Sequence, residues 1–372
     1  MCAEGAKVMV KLLHAADFHL DSPFRGLTPE QAQQRRREAR DNMLRLANFA
    51  NAEEVDLVLL AGDLFDGAEI YRETAEALVK ALGSIRGRVF IAPGNHDFWD
   101  EKGPYGQVEW PANVHIFQKQ EIETVEIPEL SCVVYGAAFT GPECTAGWPE
   151  GFRVPPEDDR LHLMVLHGDV DGARRYRQIP KGAIAESGLD YLALGHVHGF
   201  SGIEKLWNTA WAYPGCPEGR GFDECGRHGV ILGTVDKSGC DLRFVDFARR
   251  KYEICTVDVT NREPLSAVEE ALEGTATGGD LYRIVLTGEA PAGGADLKSL
   301  EEQLRDRFYH LELRDETHLA QCLWQRAGSD SLRGLFLKEL LRQREAAATE
   351  EERAKIDRAA RFGLAALDRR EL

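Results

Sequence analysis

A chain of 372 residues with 43% hydrophobic side chains is long enough for one large domain and a smaller one beside it. Its formal charge of -17 argues against coating nucleic acid through net charge, but leaves room for a local basic groove or a metal site. The eight cysteines form no CxxC pair, which argues against a zinc ribbon and predicts reduced, buried thiols.

The opening "MCAEGAKVMVKLL" holds an apolar run too short for a signal peptide, and no later run approaches about 18 residues, so a cytoplasmic protein is expected. Over the first 250 residues short apolar runs alternate with helical patterns, the signature of an α/β domain. The runs are "VMVKLLHAA", "VDLVLLAG", "RVFIAPG", "CVVYGAAF", "LHLMVLHG", "LDYLALG" and "HGVILGTV". Between the first two, Thr28 reads as an N-cap, Pro29 as the first helical residue and Gln31 as the far side of a capping box. "AEIYRETAEALVKALG" predicts a second helix closed by Gly83.

Beyond residue 250 the strand-like "KYEICTVDVT", "DLYRIVLTGE" and "YHLELRDE" alternate with the helix-like "PLSAVEEALEG" and "DLKSLEEQLRDRF". This predicts a small α+β domain over 251–325, after a large domain over 1–250. A tail over 326–372 follows, with Leu332, Phe336 and Leu340, then Ile356, Ala360 and Leu364, at helical spacing. Thr349 with Glu352 marks the start of the second of two amphipathic helices. They either pack on their own domain or dock a partner helix.

Five apolar runs end alike. One gives Asp17 and His19, with Asp21 beyond; the next gives Asp63 and Asp66. "IAPGNHD" gives Asn95, His96 and Asp97; "MVLHGD" gives His167 and Asp169; "LALGHVH" gives His196 and His198. Each alone is an ordinary polar turn. Together they place five of the 11 histidines at strand ends, where sites form in open α/β sheets. His14, His115, His162, His228, His310 and His318 are read as structural.

Oxygen and imidazole donors without thiolate suit manganese, iron, zinc or magnesium. Asp17, His19, Asp63, Asn95, His167, His196 and His198 exceed the needs of one ion. With a shared carboxylate they fit two, at the roughly 3.5–4 Å separation that activates water and clamps a phosphoryl group. His96 is then placed to stabilise the transition state or protonate the leaving oxygen, and Asp97 to orient His96 or its loop.

In order and number these motifs resemble the calcineurin-like metallophosphoesterase superfamily over roughly residues 8–235. The resemblance implies a four-layer α-β-β-α sandwich with two metals at one edge. It also implies that Asp17, His19, Asp63 and His198 hold one ion and that Asp63, Asn95, His167 and His196 hold the other. Asp63 would bridge and His96 would be the catalytic histidine.

"LLHAADFHLDSPF", "YLALGHVH" and "AYPGCPEGRGFDECGRHGVILGTV" further resemble the SbcD-like DNA-repair exonuclease branch, within it the bacterial YhaO-type members. That likeness implies a manganese-dependent DNA exonuclease, with single-strand endonuclease activity as a second capacity. It also implies a small capping domain, a homodimer, and C-terminal helices that bind an SbcC-like coiled-coil ATPase. Two departures stand out. Asp66 occupies a position where some members carry histidine, and the arginine of the protein-phosphatase Gly-Asp-x-x-Asp-Arg-Gly pattern is missing.

Basic residues cluster at Arg35 to Arg40, at Arg174 to Lys181 and at Arg249 to Lys251. Arg174, Arg175, Arg177 and Lys181, with Tyr176 to stack on a base, are the first candidates for DNA contact; Arg220 and Arg227 come second. The rival readings are a small-molecule phosphodiesterase acting on a nucleotide or lipid diphosphate, and a non-catalytic scaffold that recruits an ATPase.

Overall fold

The computed structural model describes residues 8–67, 69–275, 278–290, 295–318, 324 and 326–367. The chain divides into two compact units, Met1–Lys251 and Tyr252–Leu372.

Two six-stranded sheets form the first unit. In the first sheet β1 (Met9–Ala15), β2 (Leu57–Leu60), β3 (Arg88–Ile91) and β4 (Val114–Ile116) run parallel. The second centres on parallel β6 (Cys132–Gly136), β7 (Leu161–His167) and β10 (Tyr191–Gly195). Its antiparallel edges are β5 (Glu123–Ile127) and β11 (Glu204–Leu206), the latter reached through β12 (Thr209–Ala212). A two-stranded ribbon, β8 (Asp169–Val170) with β9 (Gln178–Ile179), follows β7. The antiparallel pair β13 (Gly229–Asp236) and β14 (Gly239–Asp246) closes the first sheet on β1.

Alternation along the strands builds the layers. Leu12, Leu59, Phe90, Val134, Leu163 and Tyr191 fill the space between the sheets. Leu13, Val58, Leu60 and Ile91 pack outward against α1 (Pro29–Ala52) and α2 (Arg72–Gly83), through Met43, Leu46, Leu78 and Leu82. On the other side Met164, Leu166 and Leu192 meet Ile184 of α3 (Lys181–Glu186). The result is the expected α-β-β-α sandwich.

Helix α1 starts at the expected capping box, Thr28 with Gln31. Helix α2 starts at Arg72, later than the pattern suggested; Ala68 lies outside the described residues. Asp21 sets that start, because its carboxylate accepts from the Tyr71 N–H (2.9 Å) and the Thr74 hydroxyl (2.6 Å). Asp21 is therefore a cap. Arg35 is buried and Arg250 half-buried, both joined to Glu38 and Glu218, so neither of their clusters is a simple basic face.

In the second unit β15 (Tyr252–Asp258), β16 (Leu281–Thr287) and β17 (His310–Asp315) form a parallel sheet joined through α4 (Pro264–Ala271) and α5 (Leu297–Leu304). Helices α6 (Leu332–Ala346) and α7 (Glu350–Leu367) pack together through Phe336, Leu337, Leu340, Ile356 and Ala360, around Trp324. Thr349 and Glu352 cap α7 reciprocally. Arg361 of α7 pairs with Asp315 at the end of β17. Leu332, expected on the packed stripe, is 70% exposed.

Six cysteines lie among the described residues and all are free. Cys225 is exposed, contrary to expectation; Cys2 and Cys322 lie outside the described residues. Among the described residues no helix is long and apolar enough to cross a membrane.

Candidate metal centre

The five motif-bearing strands, β1, β2, β3, β7 and β10, run parallel within their sheets. Their ends converge. His19 Nε2 lies 3.2 Å from His198 Nε2 and 3.7 Å from Asp63 Oδ2. Asp63 Oδ2 lies 3.4 Å from His167 Nε2 on its other side. Asn95 Oδ1 sits 3.0 Å from His167 Nε2 and 3.2 Å from His196 Nδ1. Asp17 Oδ1 is 4.0 Å from His167 Nδ1 and accepts from the His196 N–H at 3.0 Å. Asp17, His19 and His198 have donor atoms close enough to share one ion, and so do Asp17, Asp63 and His167.

The backbone gives up comfort to achieve this. Asp17, His19, Asp63 and His196 have φ of 55°, 44°, 50° and 109°, a region non-glycine residues seldom enter. Such strain concentrates at functional sites. The glycine of "IAPGNHD" has a local reason too: a Cβ on Gly94 would collide with the Asp63 carboxylate.

Burial is the largest influence on the titrating groups of the centre. It pushes the Asp17 carboxyl up to about 8, against the pull of the His198 charge, and raises Asp63 likewise against His96. It holds His19 well below the usual range, and His167 and His196 down at about 4. For His198 the downward pull of burial is outweighed by the hydrogen bond to Glu224 and by the Asp17 charge.

Outer partners fix the rings. His167 Nδ1 donates to the Ala61 carbonyl (2.9 Å), so its Nε2 lone pair faces Asp63 and Asn95. His198 Nδ1 donates to Glu224 (2.7 Å) and His19 Nδ1 to Asp66 (3.1 Å), leaving two Nε2 atoms face to face. Dry carboxylates beside inward imidazole lone pairs, with no thiolate in the set, fit hard or borderline divalent cations.

Not every expected residue belongs to this set. His96 is exposed; its backbone N–H donates to Asp63 Oδ1 (3.0 Å) and its Nδ1 to the Asp66 carbonyl (3.3 Å), and its ring packs edge-on against His19 at 4.9 Å, where His19, Asp66 and His96 form a third group of donor atoms close enough to share an ion. Asp97, expected to orient His96 or its loop, bonds to the loops and not to the ring. It is fully buried and accepts from the N–H groups of Asp63, Leu64, Phe65 and Gly94 and from the Tyr105 hydroxyl. Among the described residues no hydrogen bond joins it to His96. Asp97 thus ties together the Asp63 loop and the turn that carries His96.

The basic candidates also divide. Arg174, Arg175 and Lys181 are exposed. Tyr176 packs on the His196 ring at 4.8 Å, with the Arg175 guanidinium 4.7 Å from its own ring centre. Arg177 is 1% exposed and donates to the carbonyls of Gln120 (3.0 Å) and Ala138 (2.8 Å), so it cannot be a surface DNA contact. Arg177→Ala should cost about 2–4 kcal/mol in urea unfolding by leaving those carbonyls unpaired, and a variant as stable as the parent would contradict this role. Arg227 pairs with Asp246 at the surface, and Arg220 is engaged by Asp66 and Glu224.

Sequence reasoning missed Tyr105, Tyr213 and Glu224. The Tyr213 hydroxyl accepts from the Val170 N–H (3.0 Å) and donates to the Gly168 carbonyl (2.8 Å), fixing the loop after His167. Tyr213 and Glu224 both lie in the "AYPGCPEGRGFDECG" stretch, whose family likeness was visible without a role for either. No pattern flags Tyr105.

The calcineurin-like phosphoesterase family signature matches residues 10–200, which contain all of these donors. The chain belongs to this family. It is 32% identical to the uncharacterized metallophosphoesterase YhaO of Bacillus subtilis over 335 residues, 82% of this chain and 81% of that protein. It is 27% identical to the DNA double-strand break repair protein Mre11 of Methanopyrus kandleri, over 83% of this chain and 73% of that one. A shorter match, 33% identical over 93 residues, covers 24% of this chain and 22% of the SbcD component of the nuclease SbcCD of Rhodobacter capsulatus. This phosphoesterase is thus a phosphodiester hydrolase, in a family that works through a dinuclear metal centre.

Proposed function

We propose that the chain is a manganese-dependent DNA nuclease, an exonuclease with single-strand endonuclease activity. The observation that carries the reading is the convergence of donor atoms from five strand ends, with the tautomers of His19, His167 and His198 fixed so that Nε2 faces inward. Asp17, His19, Asp63 and His198 would hold one ion, and Asp63, Asn95, His167 and His196 the other. Bound there, the ions would supply Lewis acidity to a phosphodiester and lower the pKa of water.

The chain's own groups do the rest. His96, with Nδ1 tied to the Asp66 carbonyl, offers Nε2 to the leaving oxygen and in its cationic form delivers a proton there. Tyr176, packed on His196, offers a surface for a base, with the Arg175 guanidinium against its ring; these two, with exposed Arg174 and with Lys181, whose ammonium lies 3.7 Å from Asp171, are the proposed DNA contacts.

DNA is preferred over a small diester because two relatives carry names of DNA repair and nuclease proteins, and because the second unit exceeds the needs of a small-molecule enzyme. Helices α6 and α7 dock an SbcC-like coiled-coil ATPase, to which Leu332 (70% exposed), Leu335 (60%) and Phe362 (56%) offer apolar contacts. The working form is a homodimer in the cytoplasm.

The test pairs the protein with His96→Ala. Both are incubated with manganese and end-labelled double-stranded DNA, single-stranded DNA or bis-p-nitrophenyl phosphate. His96→Ala should lose about 10²–10⁴ in rate on DNA while still binding two ions. Undiminished turnover in that variant would remove His96 from the mechanism. Turnover of the small diester alone, with DNA intact even after the ATPase partner is added, would end the nuclease reading.

A further inference from the structure

The imidazoles of the centre differ in what stands behind them. His167 is backed by a main-chain carbonyl, that of Ala61. His19 and His198, on the other ion, are each backed by a carboxylate, Asp66 at 3.1 Å and Glu224 at 2.7 Å. Those carboxylates come from remote parts of the chain, and one side chain ties them together. Arg220 donates from Nη1 to Asp66 Oδ1 (3.1 Å), from Nη2 to Glu224 Oε1 (2.7 Å) and from Nε to Glu224 Oε2 (3.3 Å). Its own backbone N–H donates to Glu224 Oε2 at 2.8 Å, closing a ring around that carboxylate. The guanidinium also comes within 3.1 Å of His198 Nδ1. The assembly is largely enclosed: Arg220 is 19% exposed and Glu224 8%.

We propose that Arg220 is a positioning residue which, through Asp66 and Glu224, orients His19 and His198 and so sets the affinity of one of the two metal sites without setting the other. The inference rests on the dinuclear reading above. A carboxylate behind a ligating histidine fixes the ring and strengthens it as a donor, and its loss typically weakens metal binding 10–100-fold. Both carboxylates here depend on the same cation, so removing it frees both at once. It also leaves two negative groups near each other with no shared counter-charge, which favours their turning out to solvent. Asp66, at the position where related enzymes can carry histidine, thereby acquires a purpose: it holds His19 from behind. The second ion, backed through His167 by main chain, has no such dependence.

The full-length chain, stripped of metal, is titrated with manganese by calorimetry, with electron paramagnetic resonance at two equivalents as the second readout. The parent should bind two ions and show the signal of a coupled pair. Arg220→Met should bind one ion within about threefold of the parent affinity and the other about 10–100-fold more weakly, with the six-line signal of isolated manganese at the same loading. Glu224→Gln, which keeps the side chain's size, should do the same to a smaller extent, and Arg220→Lys should fall between parent and Arg220→Met. Circular dichroism confirms that each variant is folded. Two unchanged affinities in both Arg220→Met and Glu224→Gln would overturn the proposal, and so would equal weakening of both sites. A parent protein that binds fewer than two ions would instead overturn the dinuclear reading, and this inference with it.

Discussion

Asp63→Ala is expected to bind neither ion. Metal analysis of protein loaded with manganese and desalted should fall from two ions per chain to none, and DNA cleavage should drop by roughly a thousandfold or more. The reason is placement: Asp63 Oδ2 lies 3.7 Å from His19 on one side and 3.4 Å from His167 on the other, so the carboxylate stands between the two donor sets. Removing it also relieves Asp17 of a like charge in a buried site, so the metal-free variant should melt no lower than the metal-free parent. That control separates loss of ligand from loss of fold. A variant that retains two ions would show that Asp63 does not bridge.

Asp97→Ala should damage the fold first and the chemistry second. The Asp97 carboxylate accepts from Asp63 N–H (3.2 Å), Leu64 N–H (2.7 Å), Phe65 N–H (3.2 Å), Gly94 N–H (2.8 Å) and Tyr105 O–H (2.6 Å). An alanine leaves those buried donors without their acceptor. Each such group costs about 1–3 kcal/mol, but the loop can relax and admit water, so a total near 3–5 kcal/mol is expected in urea unfolding. Asp97→Asn keeps one acceptor oxygen and should cost less. Manganese affinity should fall in parallel with stability, because the same N–H groups hold Asp63 in its left-handed conformation. Parent-like stability combined with lost turnover would return Asp97 to a catalytic role.

Much of this was legible in the chain because the signals are local. An apolar run that stops at a polar turn marks a strand end wherever the strand lies in the sheet, and Thr28 with Gln31 states a helix start within four residues. The short and edge strands escaped. β4, β8 and β9 are too brief to show a period, and β14, although Cys240, Leu242 and Phe244 alternate with Asp241 and Arg243, is overshadowed by the stronger apolar run of β13 beside it. The outer layer of the centre escaped for another reason. Asp66 and Arg220 are 154 positions apart, and nothing local distinguishes a cation that will meet a carboxylate from one that will meet a phosphate. Arg175 and Arg177 make the same point at close range. A single residue, Tyr176, separates an exposed guanidinium from one sealed under Phe139, and only the turn into β9 decides which is which.

The donors come from both halves of the sandwich: Asp17, His19, Asp63 and Asn95 follow strands of the first sheet, while His167 ends a strand of the second and His196 and His198 follow another. Each proposed ion therefore takes ligands from both sheets and works as a removable rivet along one edge of the interface. Any species that binds only the folded chain stabilises it by mass action, by about 2.7 kcal/mol at a hundred times its dissociation constant. The resistance of this enzyme to unfolding is thus tied to the divalent ion available to it, and a chelator acts on the architecture as well as on the reaction.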